Sequence, residues 1–338
     1  MIRKLFLCRP IHIIDGDNRL NACTDKQLKT RFKNMIDNGM PTRGIQIFHY
    51  AAVHYNTRWD NYPARFLNAL FNVAPAISDN GNYLNLNDSE EPELQRGSSE
   101  VLGIGLSNMF MCRCFGVNIN RIEKIQDSGK RCDYRFPYNN QVVIFESKGR
   151  AHREQISSAR KDCIQKKCNY NANLKYAIIS HLPRDGSATT LHIFDPPGDN
   201  GLVSFNEKYV IAKHYSRVSE LSGLTILAEA IRKRLGQYEK TGEWDISPLL
   251  INNVMKIGLS IQIGNNTFWT RRSLKEFKYG DQNYYVHFGL HNRVIDLLMN
   301  WDIEQLSKFR FEDNVIEDHS ISQMSDGSFF YVSNQRLN

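Results

Sequence analysis

Asp133, Glu146 and Lys148 are the residues whose types and spacing could do hydrolytic chemistry. Asp133 is followed by residues 134–145 and then by Glu146-Ser147-Lys148. Residues two apart on a strand leave the same face, so Glu146 and Lys148 point together, about 7 Å apart along the chain, while Ser147 points the other way. Carboxylates suit Mg2+, a hard cation that takes one or two protein carboxylates and keeps several waters. Hydrolysis of a phosphodiester needs neutralisation of the phosphate, an activated water and a stabilised leaving oxygen. Two carboxylates and an ammonium on one surface form a candidate metal-and-water site.

The elements that must position these residues can be read around them. Asp133 opens a strand, Asn139-Asn140 marks a turn, and Gln141 to Lys148 forms the second strand, with Val142 to Phe145 as a buried run. Upstream, Ser98 or Ser99 is the expected N-cap of a helix that carries Val101, Leu102, Ile104, Leu106, Met109 and Phe110 and stops at Gly116. Glu100 then falls in the first turn, where the helix dipole favours a carboxylate. Residues 117–125 alternate as a strand. Downstream, residues 152–167 form a basic helix with Arg153, Gln155, Arg160, Lys161, Lys166 and Lys167, followed by buried strands at 176–180 and 190–194. The order is helix, three strands, helix, strand.

Asp133 with Glu146-Ser147-Lys148 resembles the PD-(D/E)XK signature of the restriction-endonuclease-like nucleases, with Cys132 in place of the proline. The likeness covers about twenty residues locally and extends to roughly 98–195 through the element order. It implies an α/β fold with a restriction-endonuclease-like core, a mixed central sheet flanked by helices, and N- and C-terminal additions. It also implies a Mg2+-dependent deoxyribonuclease, with Mn2+ as a substitute, that leaves 5′-phosphate and 3′-hydroxyl ends. Bacterial restriction, anti-phage defence, or DNA mobility and repair are the roles that go with it. On that resemblance Asp133, Glu146 and the Ser147 carbonyl hold the metal, and Lys148 orients or deprotonates the water and stabilises the transition-state charge. Glu100 occupies the place of a helix glutamate that reaches the metal or its water, and Gln155 resembles the glutamine of RecB-like members. Their downstream tyrosine is missing, since Ala159 and Arg160 stand there. Arg150, His152 and Arg153 are candidate phosphate contacts.

The chain has 338 residues, 41% hydrophobic and 23% charged, as in a globular protein with room for two domains or one with large additions. A net charge of +7 is consistent with a polyanionic partner; the resemblance implies DNA, and RNA also stays open. Residues 1–77 are expected to form an α/β accessory region, with a strand at 5–14, a helix at 25–38 capped by Thr24, a strand at 44–50 and a helix at 63–73. Lys29, Arg31, Lys33, Arg43, Arg58 and Arg65 interleave there with Phe32, Tyr50, Tyr55, Trp59 and Tyr62, as in a surface that grips a nucleic-acid strand or as core aromatics with solvated charges. Residues 78–97, including the acidic stretch 88–93, read as a linker. Residues 202–338 read as an α+β accessory region: helical from 209 to 235 with a break at Ser222-Gly223, then β-rich, with a helix at 294–301 and a strand-like tail. Seven cysteines without a CxxC pair point to reduced thiols, and no apolar run reaches membrane-spanning length. A cytoplasmic protein is expected, acting as a homodimer or within a multiprotein defence complex.

Other motifs carry less. Glu276-Phe277-Lys278 repeats the Glu-x-Lys letters but follows a charged stretch and has no hairpin aspartate. His287 and His291 have helical metal spacing, yet Tyr284 to Val286 suggests a strand and no third ligand is near. His291-Asn292-Arg293 matches an HNH nuclease in letters only. No P-loop, dinucleotide turn or G-x-S-x-G elbow occurs. Besides a nuclease, the readings left open are a non-cleaving nucleic-acid-binding subunit with the same fold and an unrelated protein-interaction module.

Overall fold

The computed structural model describes residues 3–18, 25–54, 62–78, 82–87, 92–125, 132–167, 174–194, 205–251, 258–270, 275–279, 281–311 and 320–334. The chain divides into two compact units, residues 1–55, 68–117 and 122–205 in one, and residues 56–67, 118–121 and 206–338 in the other.

In chain order, the elements up to residue 194 are α1 (Arg3–Phe6), β1 (Cys8–Asp15), α2 (Lys26–Asn38), β2 (Met40–Arg43), α3 (Gly44–Ala52), α4 (Tyr62–Val73), α5 (Pro92–Phe115), β3 (Glu123–Lys124), β4 (Tyr134–Tyr138), β5 (Gln141–Arg150), α6 (Gln155–Lys167), β6 (Leu174–His181) and β7 (Thr190–Phe194). Seven strands make one mixed sheet in the order β2-β1-β7-β6-β5-β4-β3. The β1/β7 and β5/β6 pairs are parallel and the others antiparallel. The first unit is thus an α/β unit with a mixed sheet flanked by helices, and helix, three strands, helix, strand run in that order from α5 to β6. The strand β1, expected in a separate accessory region, and β2, a strand not expected from the sequence, belong to this sheet.

The two faces of β5 are covered by different helices. Ser147 Oγ lies 2.9 Å from Ser107 Oγ of α5. A Cβ on Gly149 would come within 1.7 Å of the Ser99 carbonyl oxygen, so glycine is what lets α5 approach the strand. On the opposite face, Ala177 and Ile179, the register partners of Glu146 and Lys148, pack against Ala159 and Cys163 of α6. Glu146 and Lys148 therefore face α6, whereas Ser147 and Gly149 face α5.

The second unit holds α7 (Glu207–Leu221), α8 (Thr225–Thr241), β8 (Leu259–Ile263), β9 (Asn266–Thr270), β10 (Lys275–Tyr279), β11 (Gln282–His291), α9 (Asn292–Met299), α10 (Ile303–Lys308), β12 (Ile321–Gln323) and β13 (Ser328–Ser333). Its strands form an antiparallel sheet in the order β12-β13-β11-β9-β8, with β10 also on β11. The break expected at Ser222-Gly223 separates α7 from α8, and Gly223 takes φ +74°.

Several expected boundaries are corrected. Residues 44–50 are helix, not strand: Ile45, Ile47, Phe48, Ala51 and Ala52 are all buried, so the apparent alternation is one wide apolar helix face. The helix predicted to start at Ser98 or Ser99 starts at Pro92, inside the predicted linker, because proline and Glu93 suit a first turn and the early turns are polar. Ser98 and Ser99 are buried helix-interior residues and cap nothing. Residues 119–121 are a 3-10 turn, which leaves β3 only two residues long. The segment predicted as one strand from Leu5 contains α1 before β1. Asp25, not Thr24, caps α2, accepting from the N–H groups of Gln27 and Leu28; Thr24 lies outside the described residues.

Candidate functional site

The hairpin forms as the sequence pattern demands. Asn139 and Asn140 take φ +47° and +60°, the left-handed pair of a two-residue hairpin turn, and Tyr138 pairs with Gln141. The register runs on to Tyr134 opposite Phe145, whose rings stack at 5.0 Å. One residue before β4, Asp133 still accepts the Ile125 N–H on its carbonyl at 2.9 Å, while on the β5 side its Oδ2 accepts the Ser147 N–H at 2.9 Å. N–H and C=O of one strand residue share an edge, so the Ser147 carbonyl faces the edge that carries Asp133.

Glu146 is fully buried, and Lys148 reaches its Oε1 at 2.8 Å. Lys166 of α6 donates to the same oxygen. Its helix position follows Ala159 and Cys163 at steps of four and three, the spacing of one helix face, so the face that packs on the sheet delivers an ammonium to the carboxylate. That second lysine was legible only as part of a basic helix. Glu146 Oε2 is buried without a hydrogen-bond partner among the described residues. Burial, with repulsion from Asp133, pushes the Glu146 carboxyl up to about 6, against the pull of Lys148 and Lys166. For Lys148, burial disfavours the ammonium, but Glu146 and Asp133 outweigh it and hold its pKa above the ordinary lysine value. Burial and Asp133 raise the Tyr134 phenol well above its ordinary value.

The structure thus brings Asp133, Glu146, Ser147 and Lys148 together and adds Lys166. Glu100 is exposed on α5, about two turns into the helix and not in its first turn. No hydrogen bond or ion pair joins it to Asp133, Glu146 or Lys148. Its charge does reach Tyr134. Gln155 opens α6 and lines, with Arg96, Ser99, Arg150 and His152, a cleft of about 490 Å3 that neither Asp133 nor Glu146 lines. Arg150 lies in β5, and His152 and Arg153 in the turn before α6, so these are not residues of the helix itself.

Comparison of the chain with protein-family models, curated proteins and solved structures returned no match.

Glu276-Phe277-Lys278 sits on β10, paired with β11. His287 and His291 lie on β11, so their helical spacing is not realised, and burial pushes His287 down to about 4. Phe32 is buried against Phe110 at 5.4 Å, which takes it out of any base-stacking surface. Tyr55, Arg58 and Trp59 lie outside the described residues. Of the described cysteines, Cys8 is exposed and Cys112, Cys114, Cys132 and Cys163 are buried. Among the described residues no helix is long and apolar enough to cross a membrane.

Proposed function

We propose that the chain is a metal-dependent endonuclease with a restriction-endonuclease-like core that hydrolyses DNA phosphodiester bonds through Asp133, Glu146 and Lys148. The observation that carries the reading is the Glu146 carboxylate, which is buried, paired with Lys148 through one oxygen and open at the other. A buried carboxylate oxygen without a partner is costly, and so is its repulsion by Asp133; a small divalent cation relieves both. Asp133, Glu146 Oε2 and the Ser147 carbonyl are all oxygen donors and would hold Mg2+, which is the ligand type that ion prefers. When bound, the ion supplies Lewis-acid neutralisation of the phosphate and a more acidic water. Lys148, held protonated by its acidic neighbours, acts as a charged donor: it positions the attacking water and stabilises charge on the phosphoryl oxygens. Ser147 N–H holds Asp133 in place.

A second reading, a nucleic-acid-binding subunit that does not cut, is favoured by the two ammoniums that already neutralise Glu146 Oε1. Incubation of purified protein with Mg2+ or Mn2+ on supercoiled DNA, linear DNA and RNA in parallel separates the two. Cleavage of DNA that falls at least about 10²-fold in both Glu146→Ala and Lys148→Ala is the expected result. Binding without cleavage, or cleavage unaffected by both substitutions, contradicts the nuclease reading.

A further inference from the structure

The face of the sheet that carries Glu146 and Lys148 continues across β6, β7 and β1. Lys148 is in register with Ile179, Ile179 with His192 and His192 with Ile14. The next row is Arg150, His181, Thr190 and His12. At about 4.8 Å per strand, His192 stands two strands, about 10 Å, from Lys148. α6 covers Ala177, Ile179 and Phe194 of this face. Where α6 begins, the turn before it and the loop after β6 bound a cleft of about 650 Å3 lined by His181, Thr190 and His192 together with Arg153 and Arg184.

The acids of this cleft and Arg153 stand at its exposed rim, whereas His181, His192, Thr190 and Arg184 are half-buried. Glu154 and Asp185 also line it, but both are exposed: the Glu154 side chain is 78% accessible, and Asp185 accepts the Ser187 N–H at 3.0 Å. Screening by water and salt weakens the rim acids more than the half-buried donors, which leaves an electropositive interior. Burial, then His181 and Arg153, push His192 down to about 4. Burial is also the main cause of the lowered His181 pKa, with Arg153 and His152 adding to it and Asp185 and Glu154 opposing it. His192 Nε2 lies 3.0 Å from Thr190 Oγ1, so the hydroxyl and the imidazole are already oriented together.

We propose that this cleft binds a phosphate group, with Arg153 and Arg184 supplying charge and His181, His192 and Thr190 supplying hydrogen-bond donors. The site is separate from Asp133 and Glu146 and stands whether or not the chain cuts. An anion seated there favours the imidazolium forms, so its affinity rises as pH falls and the pKa of each histidine rises on binding. The phosphate comes either from the backbone of a nucleic-acid strand or from a small free phosphate compound.

The test is an NMR titration of the histidine ring signals in metal-free protein, at about pH 4.5 and about pH 8, because burial brings the His192 transition down to about 4 and lowers that of His181. Three probes are used: inorganic phosphate, dimethyl phosphate, and a short oligothymidylate without terminal phosphate. Dimethyl phosphate does not titrate in this range, so any pH effect on its binding belongs to the protein. The signals of His181 and His192 are expected to shift, with tighter binding at the lower pH and about tenfold weaker binding in Arg153→Gln. Arg153 is exposed, so that substitution leaves the fold intact. Tightest binding of the oligothymidylate assigns the cleft to a nucleic-acid strand; tightest binding of inorganic phosphate assigns it to a small phosphate compound. Failure of all three probes to move His181 and His192, or binding unchanged in both Arg153→Gln and His181→Gln, overturns the proposal. Neither result depends on cleavage, so it is distinguishable from a failure of the nuclease reading.

Discussion

Glu146 in the first unit and Asp326 in the second are both fully buried carboxylates, and they are satisfied in opposite ways. Asp326 Oδ2 lies 2.6 Å from His214 Nε2, while its Oδ1 accepts from the Ser328 N–H at 2.9 Å and the Ser328 hydroxyl at 2.7 Å. Its backbone carbonyl accepts from the buried Tyr215 hydroxyl at 3.0 Å. Every oxygen of Asp326 is engaged, as expected of a group that locks the turn before β13 against α7. Glu146 instead has two ammoniums on one oxygen and none on the other. One carboxylate is saturated by the fold. The other, on the face of β5 that packs on α6, keeps one oxygen without a partner among the described residues, and that oxygen is the position proposed to take a ligand.

The largest expected effect separates the two by stability. Asp326→Ala removes the partner of His214 and of both Ser328 donors and should cost about 3–5 kcal/mol in chemical denaturation. Glu146→Ala should cost less than half as much. Lys148 and Lys166 have side chains 21% and 25% accessible and can turn to water, and the desolvation cost of Glu146 disappears with it. Equal losses at the two positions would break the contrast.

A smaller effect concerns pH. The Glu146 carboxyl rises from an ordinary value near 4.5 to about 6 in the folded, metal-free protein. The unfolded chain therefore releases its proton first, and the folded state binds more protons between these values. Stability from this group is present below pH 4.5 and is lost as pH rises to 6, by about 2 kcal/mol. Denaturation curves of the protein and of Glu146→Gln, measured across that window, should diverge by this amount. Parallel curves would mean that Glu146 ionises as freely in the folded chain as in the unfolded one.

The sequence made the hairpin legible because its determinants are local: an Asn-Asn turn, a buried Val142 to Phe145 run and side-chain alternation. The meeting of Asp133 with Ser147 and of Lys148 with Glu146 follows from that register. The start of α5 was misplaced because the apolar periodicity begins only after two polar turns, and α3 was misread because Ile45 and Ile47 alternate within a wide helix face. The joining of β1 and β2 to the sheet has no local signature, since β1 pairs with β7 across most of the unit. Lys166 lay in plain view, three residues after Cys163 on the buried face of α6. Finding it required knowing that this face covers Glu146.

The most direct test of the open Glu146 position is calorimetric titration of Mn2+ into the native protein, Glu146→Gln and Asp326→Asn. Binding that is present in the native protein, lost in Glu146→Gln and kept in Asp326→Asn is the predicted outcome. Binding that survives in Glu146→Gln, or that is absent from the native protein, would contradict the assignment of the buried glutamate as a metal ligand.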